Sequence, residues 1–201
     1  MRSGLTNIQW CPGCGDFLII MALKNAFKEL EIASKDRVVV SGVWCSGKAS
    51  QYVDGYAAET LHGRAVPFAT GVKLANPELT VVIMGGDGDG YGIGMGHFIH
   101  ACRRNLDMVY LVFDNENYAL TTGQASPTTP IWAVTKTTPD GNITLPFHPL
   151  NLAKEAGCGF AKMGYSKDFK GLKDLIKEAI EYPGFALINV IQDCPSFKRW
   201  D

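Results

Sequence analysis

A glycine-rich segment between two apolar runs limits the possible folds of this chain more than any other feature. The first run, residues 79–84, leads into a Gly-Asp-Gly tripeptide around Asp87, and the second, residues 108–113, is followed by Asp-Asn115. If a helix joins them, the runs are parallel strands whose carboxyl ends meet at one edge of a sheet. Asp87 and Asn115 would then lie close together, beside free backbone N–H groups at a helix start. A carboxylate, an amide oxygen and N–H groups are suited to binding a Mg²⁺-bound diphosphate.

Two other readings of the same glycines fail on single positions. A calcium-binding EF-hand loop that starts at Asp87 requires Asp or Asn where Tyr91 stands and Glu where Phe98 stands. A dinucleotide fingerprint that starts at Gly86 requires a glycine in place of Tyr91. The segment therefore favours a diphosphate-binding turn over either motif.

The rest of the chain alternates between helical and strand-like patterns. We expect helices at 16–30, 66–75, 151–156 and 168–181, and further strands at 37–43, 159–163 and 185–191. Residues 119–148 are rich in proline and threonine and have no periodicity, which predicts a long loop that is functional or bound to a partner. The alternation predicts an α/β fold with a mainly parallel sheet and helices on both faces, in one domain over residues 1–201.

Composition excludes several classes of function. The net charge is −1, so nothing indicates nucleic acid or an anionic membrane as a partner. The longest apolar run, residues 17–23, is too short to span a bilayer, and the N-terminus lacks a secretory signal, so we expect a cytoplasmic protein. Only 19% of residues are charged, which suggests a surface that is partly covered by other subunits.

Four of the six cysteines occupy positions that suggest a metal centre. Cys11 and Cys14 form a Cys-x-x-Cys knuckle before a helix, which alone fits zinc, an iron–sulfur cluster or a redox dithiol. Cys45 and Cys194 each follow a predicted strand, at the sheet edge that holds the diphosphate site. Four thiolates at that edge would suit zinc or an iron–sulfur cluster. The two remaining cysteines are interpreted as core residues: Cys102 and Cys158.

A second phosphate-binding motif is nearly complete. Residues 42–48 follow a strand and match the glycines and the lysine of a P-loop, but Ala49 lacks the hydroxyl group that would bind magnesium. A P-loop would also leave Asn115 and the Cys-x-x-Cys knuckle unexplained. Outside a P-loop, Lys48 is either a cation suited to a substrate carboxylate or a solvated surface lysine.

Ten short motifs cover nearly the whole chain in a characteristic order. They are WCPGCG (10–15), SGVWCSGK (41–48), HGRAVP (62–67), ATGVK (69–73), GDGDG (86–90), RRN (103–105), DN (114–115), LTTGQ (120–124), SPTT (126–129) and DCP (193–195). Together they resemble the β subunit of 2-oxoacid:ferredoxin oxidoreductases, which binds thiamine diphosphate. The resemblance implies the thiamine-diphosphate-binding fold.

The resemblance also implies a role for each matching residue. The ligands of a 4Fe–4S cluster would be Cys11, Cys14, Cys45 and Cys194. Magnesium would be bound by Asp87, Asn115 and the main-chain carbonyl of Asn117. Contacts to thiamine diphosphate would come from Cys45, Ser46, His62, Gly86, Gly88, Asp89 and Leu120. Lys48 would be a catalytic residue that faces the substrate.

The activity implied is oxidative decarboxylation of a 2-oxoacid to acyl-coenzyme A and CO₂, with electrons passed through the cluster to ferredoxin. Activity would require a hetero-oligomer with the α subunit, which provides the glutamate that activates the cofactor, and with γ and δ subunits in larger assemblies. Two features depart from the family: Trp44 stands where a small residue is common, and the chain ends at Asp201 where family chains continue.

Three other interpretations remain open from the residues alone. One is a non-redox thiamine-diphosphate decarboxylase subunit with a structural zinc, and another is a P-loop-like nucleotide-binding module. The third is an electron-transfer subunit that carries a cluster without cofactor chemistry. Neither the particular 2-oxoacid nor the physiological direction follows from the sequence.

Overall fold

The computed structural model describes residues 9–197 and contains one six-stranded, entirely parallel sheet. The strands are β1 (Arg37–Ser41), β2 (Tyr56–Glu59), β3 (Thr80–Gly86), β4 (Met108–Asp114), β7 (Phe160–Tyr165) and β8 (Phe185–Ile191). Their order across the sheet is β2-β1-β3-β4-β8-β7, and the short strands β5 (Asn117–Tyr118) and β6 (Gln124–Ala125) form a separate antiparallel pair. The expectations for the N-terminal signal and for the end at Asp201 lie outside the described residues.

Helices cover both faces of the sheet, as predicted. They are α1 (Asp16–Glu29), α2 (Trp44–Gly47), α3 (Ala65–Ala75), α4 (Met95–Arg104), α5 (Pro149–Glu155) and α6 (Phe169–Glu181). One hydrophobic core joins α1 and α6 to one face, and a second joins α3, α4 and α5 to the other. The sequence MVYLVFD of β4 is buried at every position because this central strand is covered on both sides. None of the helices in residues 9–197 is both long and apolar enough to cross a membrane.

The sheet has one strand that the sequence did not predict. Strand β2 lies at the edge and pairs only with β1. Its sequence, Tyr-Ala-Ala-Glu, has no apolar alternation, and Tyr56 is 61% exposed. An edge strand with both faces partly solvated lacks the hydrophobic pattern on which strand prediction depends.

The glycine-rich segment forms a different structure from the turn we expected. Residues Gly88–Ile93 make a π-helical turn directly before α4, and Gly94 N–H donates a 3.0 Å hydrogen bond to the carbonyl of Asp89. A side chain at Gly90 would come within 2.1 Å of the buried Tyr110 hydroxyl. Glycine is therefore required because the π turn lies directly against β4.

Strands β3, β4 and β8 end level with one another. Gly86 of β3 pairs with Phe113 of β4, and Asp114 pairs with Ile191 of β8. The residues that follow these ends are Asp87, Asn115 and Gln192. Polar side chains from three strands thus meet at one edge, where ligands bind in open parallel sheets.

Candidate functional site

A cavity with about 310 Å³ of empty space opens at the carboxyl edge of the sheet. It is lined by Asp16, Trp44, Cys45, Ser46, Gly86, Asp87, Gly88, Phe113, Asn115, Asn117, Ala119, Leu120 and Gln192. The predicted residues Asp87, Asn115 and Leu120 therefore share a cavity with Cys45, Ser46 and the two glycines.

Two buried carboxylates meet at the floor of the site. The hydroxyl oxygen of Thr128 lies 2.9 Å from Asp87 Oδ2 and 2.8 Å from Asp114 Oδ1. A hydroxyl group has one proton to donate, so it cannot satisfy both carboxylates at once. Burial, and after it the charge of Asp114, raise the pKa of Asp87 to about 8. The site is short of positive charge, and a divalent cation would supply it.

Asn115 and Asn117 present oxygen atoms beside these acids. Asn117 N–H donates to Asn115 Oδ1 at 3.1 Å, and its side-chain amide donates to the carbonyl of Asn115 at 2.8 Å. The remaining side-chain oxygen, Asn117 Oδ1, is buried without a hydrogen-bond partner in the described structure. The donor set of carboxylate and amide oxygens fits a hard cation such as Mg²⁺.

Gly86 and Gly88 line the cavity with backbone atoms, because they have no side chains. A side chain at Gly88 would lie 2.1 Å from the ring of Tyr118, and one at Gly86 would lie 3.3 Å from Ser46 Oγ. The Tyr118 hydroxyl also donates to the Gly88 carbonyl at 3.3 Å. Close packing of Tyr118 on Gly88 thus fixes the start of the π turn.

Of the residues predicted to contact the cofactor or the substrate, three do not line the cavity. Asp89 is buried behind it, where its Oδ1 accepts from Gly63 N–H at 2.7 Å and lies 2.8 Å from His62 Nδ1. His62 is half-buried and packs against Trp44, whose ring centroid is 4.5 Å away. Lys48 is half-buried, and its positive charge opposes only in part the burial that raises the pKa of the Cys45 thiol.

The structure also argues against the P-loop interpretation. A side chain at Gly42 would meet Asp89 Oδ2 at 1.8 Å, so a carboxylate lies directly on the first glycine of the motif. A loop that wraps phosphate needs positive potential at this place. The following residues form α2 instead of a phosphate-binding loop.

Hydrogen bonds join the three segments that contain the four cysteines. The indole of Trp10 donates to the carbonyl of Cys45 at 2.8 Å. Gly15 N–H donates to the carbonyl of Asp193, next to Cys194, at 3.2 Å, and Ser196 Oγ lies 3.5 Å from Cys11 Sγ. Of the four thiols, Cys194 is buried, Cys14 and Cys45 are half-buried and Cys11 is exposed.

The thiols influence one another but are not arranged as a complete metal site. Burial, and after it Asp16, raise the pKa of Cys14 well above its ordinary value, and Cys45 and Cys194 add to the effect. Burial likewise raises the pKa of Cys45 to about 11. Within residues 9–197, no three histidine, cysteine or acidic side chains stand at metal-binding spacing. The raised pKa values of Cys14 and Cys45 fit a centre that forms when a metal displaces their protons.

Sequence reasoning missed two buried residues of the cavity. Asp16 and Gln192 are almost fully buried, and Gln192 Nε2 donates to Asp16 Oδ1 at 2.7 Å. Their other oxygens, Asp16 Oδ2 and Gln192 Oε1, have no hydrogen-bond partner among the described residues. Gln192 directly follows a buried strand, the same signal that identified Asp87 and Asn115.

Comparison with known proteins identifies the class of this domain. A family model described as "Thiamine pyrophosphate enzyme, C-terminal TPP binding domain" matches residues 37–190. The sheet and the cavity are therefore those of a thiamine-diphosphate-binding domain, and the predicted fold is confirmed.

Individual relatives identify the family more narrowly than the family model does. The chain is 49% identical over 192 residues to the 2-oxoacid:ferredoxin oxidoreductase 2 β subunit of Aeropyrum pernix, covering 96% of this chain and 62% of that one. It is 42% identical over 199 residues to the 2-oxoglutarate synthase subunit KorB of Archaeoglobus fulgidus, covering 99% of this chain and 74% of that one.

A solved structure agrees closely with the fold. It is the 2-oxoglutarate:ferredoxin oxidoreductase from Magnetococcus marinus with 2-oxoglutarate, coenzyme A and succinyl-CoA bound. It superimposes with a TM-score of 0.96 and 41% identity, over 98% of this chain and 68% of that chain. The chain belongs to the family of 2-oxoacid:ferredoxin oxidoreductase β subunits, as its motifs predicted. It spans less than two thirds of the Aeropyrum relative, at 62%.

Proposed function

We propose that this chain is the thiamine-diphosphate-binding subunit of a complex that oxidatively decarboxylates a 2-oxoacid to acyl-coenzyme A and CO₂ and passes the electrons to ferredoxin. The observation that carries the proposal is that Cys45 lines the same cavity as Asp87 and Asn115. A residue suited to an iron–sulfur cluster is thus next to residues suited to a diphosphate. This arrangement supports electron transfer over a short distance.

The cavity floor is the proposed site for Mg²⁺ and diphosphate. Asp87, Asn115 and the main-chain carbonyl of Asn117 would bind the cation, which would relieve the charge deficit between Asp87 and Asp114. Ser46, Gly86, Gly88 and Leu120 would contact thiamine diphosphate. When bound, this cofactor supplies an electron sink for cleavage of a carbon–carbon bond.

The three segments that contain the four cysteines are the proposed site of a 4Fe–4S cluster, with Cys11, Cys14, Cys45 and Cys194 as ligands. The hydrogen bonds from Trp10 and Gly15 support this because they hold the three segments together without metal. The raised pKa values of Cys14 and Cys45 mean that loading would release protons. Loading would therefore become weaker as the pH falls.

Partners and substrate follow from the family. We propose an α subunit, ferredoxin and coenzyme A as partners, since the Magnetococcus relative binds 2-oxoglutarate, coenzyme A and succinyl-CoA. His62 and Asp89 would act from behind Trp44 by fixing its position, and Lys48 would attract the substrate carboxylate from beside Cys45. Thiols that must stay reduced fit a cytoplasmic location.

The deciding experiment is anaerobic purification of the chain with its co-expressed α partner, followed by a visible spectrum and quantitation of iron, zinc and thiamine diphosphate. We expect brown protein with about four irons assigned to this chain and bound thiamine diphosphate. Cys194→Ser should remove that iron, whereas Cys158→Ser, in the hydrophobic core, should retain it. Colourless protein with one zinc would contradict the electron-transfer function.

A further inference from the structure

Trp44 has an unusual backbone conformation. Its φ angle is +69°, in the left-handed region, at the start of α2. This region is rarely occupied by large side chains, since the Cβ atom crowds the backbone there. Backbone strain of this kind needs support from the surrounding structure.

Two aromatic contacts hold the Trp44 side chain. Its ring centroid lies 4.5 Å from that of His62 and 4.7 Å from that of Tyr118, the latter at 82° between the ring planes. Edge-to-face pairs of this kind are attractive beyond their buried area. Both partners are themselves fixed, His62 by Asp89 and Tyr118 by its packing on Gly88. The indole therefore has little freedom to move away from a ligand.

The position of Trp44 links this rigidity to ligand size. Trp44 lines the cavity next to Cys45 and Ser46, in a space of about 310 Å³ that must also hold part of a cofactor. The indole ring occupies volume at the cavity wall, and its contacts with His62 and Tyr118 keep it there.

We infer that Trp44 is a specificity-determining residue, which restricts the complex to 2-oxoacids with short side chains and excludes branched and aryl ones. This inference rests on the proposed function. It assigns the size limit to one rigid side chain of this subunit. Removing the indole should enlarge the acyl space and relieve the left-handed strain at the same time, since glycine adopts this conformation freely.

The test measures binding of inhibitors that cannot lose CO₂, so it does not depend on turnover. Methyl acetylphosphonate mimics pyruvate, and methyl 4-methylpentanoylphosphonate mimics a branched 2-oxoacid. Calorimetry on the complex with Mg²⁺ and thiamine diphosphate gives both dissociation constants. We expect Trp44→Gly to bind the branched inhibitor at least about tenfold more tightly than wild type, with less than a threefold change for the acetyl inhibitor, and Trp44→Phe to be intermediate.

Trp132 provides a matched control. It is a second tryptophan with φ +69°, but it is 73% exposed and does not line the cavity. Trp132→Gly should leave the ratio of the two dissociation constants unchanged. Equal ratios in wild type and Trp44→Gly, with both binding the cofactor, would overturn the role of Trp44. If thiamine diphosphate fails to raise the melting temperature of the wild-type complex, the proposed function fails and the inference falls with it.

Discussion

Thr128 shows how one side chain can connect the chemistry of the cavity to the stability of the fold. Its hydroxyl contacts both Asp87 and Asp114, and Asn189 Nδ2 donates to the other oxygen of Asp114 at 2.9 Å. Asn189 in turn accepts from the Tyr91 hydroxyl at 2.8 Å. The network therefore extends from the cavity floor, through the middle of the sheet, to the π turn.

Thr128→Val should destabilise the protein. The substitution keeps the shape but removes the hydroxyl, so a buried carboxylate loses a partner at a cost of about 1–3 kcal/mol. Urea unfolding followed by circular dichroism would measure it. Thr70→Val is the matched control, because that hydroxyl bonds only the Val66 carbonyl of its own helix. Equal destabilisation by the two substitutions would contradict a special role for Thr128.

The same residues show what the sequence could reveal about the site. Asp87 and Asn115 were predictable because each follows a buried strand, and the carboxyl ends of parallel strands meet regardless of the loops between them. Thr128 was not predictable, since it belongs to a loop without periodicity and contacts Asp87 across 41 residues. The positions of Asp89 and His62 behind Trp44 depend on side-chain packing, which motifs do not encode.

At the scale of elements, the π turn and α4 each contain a glycine, and the two glycines should respond differently to substitution by alanine. Gly90→Ala should destabilise the protein by about 1–3 kcal/mol, because its new methyl group would lie 2.1 Å from the buried Tyr110 hydroxyl. Gly96→Ala, in α4 with nothing within 4 Å, should stabilise by about 0.5–1 kcal/mol. Urea unfolding would compare them. A change of the same sign at both positions would contradict the tight packing of the π turn on β4.

A cluster of charges joins α1 to α6. Glu29 lies 2.5 Å from Lys173 Nζ and 2.9 Å from Lys177 Nζ, and these hydrogen bonds lower the pKa of Glu29 below its ordinary value of 4.5. A carboxylate with a lowered pKa in the folded state contributes stability above its unfolded pKa and loses it as the pH falls through the folded one.

Glu29→Gln should therefore reduce the melting temperature slightly at pH 7 and leave it unchanged well below pH 4.5. Added salt should shrink the difference, since exposed charges are screened. Thermal unfolding at both pH values, with and without salt, is the measurement. Glu181→Gln, at the end of α6 and without an ion pair in the described structure, is the control. A difference that persists at low pH would show that the loss is not electrostatic.

Element prediction succeeded where burial enforces a hydrophobic pattern. Strand β4 and helix α1 were predicted because their apolar residues face a core, and the observed helix Asp16–Glu29 differs from the expected one by a single residue. Strand β2 was missed because it is a solvated edge. The π turn was expected only as a glycine-rich turn, since its geometry depends on contact with Tyr110 rather than on local propensity.

For the molecule as a whole, the loop at residues 119–148 contains seven large apolar side chains that are exposed in the described structure. Its exposed side chains include Leu120, Ile131, Trp132, Val134, Ile143, Leu145 and Phe147. Large exposed apolar side chains close together in one segment are typical of an interface. The sequence predicted a long loop that is functional or bound to a partner, but the side chains that point outward follow only from the folded backbone.

Leu145→Ser should weaken co-purification with the α subunit. Leu145 is 76% exposed, so the substitution should leave the fold intact while it removes apolar contact area. The measurement is the yield of tagged α subunit recovered with each variant. Leu74→Ser, at a 65% exposed position on α3, controls for general loss of surface hydrophobicity. Equal recovery of the α subunit with both variants would exclude Leu145 from the interface.

The contact between Gln192 and Asp16 joins residues 176 positions apart. The cavity is therefore complete only when β8, the strand that precedes Gln192, has joined the sheet beside β4. A ligand of the cavity meets only the finished domain and cannot guide the chain toward it. Loading should consequently slow unfolding and leave the refolding rate unchanged, so the cofactor extends the lifetime of the native state without hastening its formation.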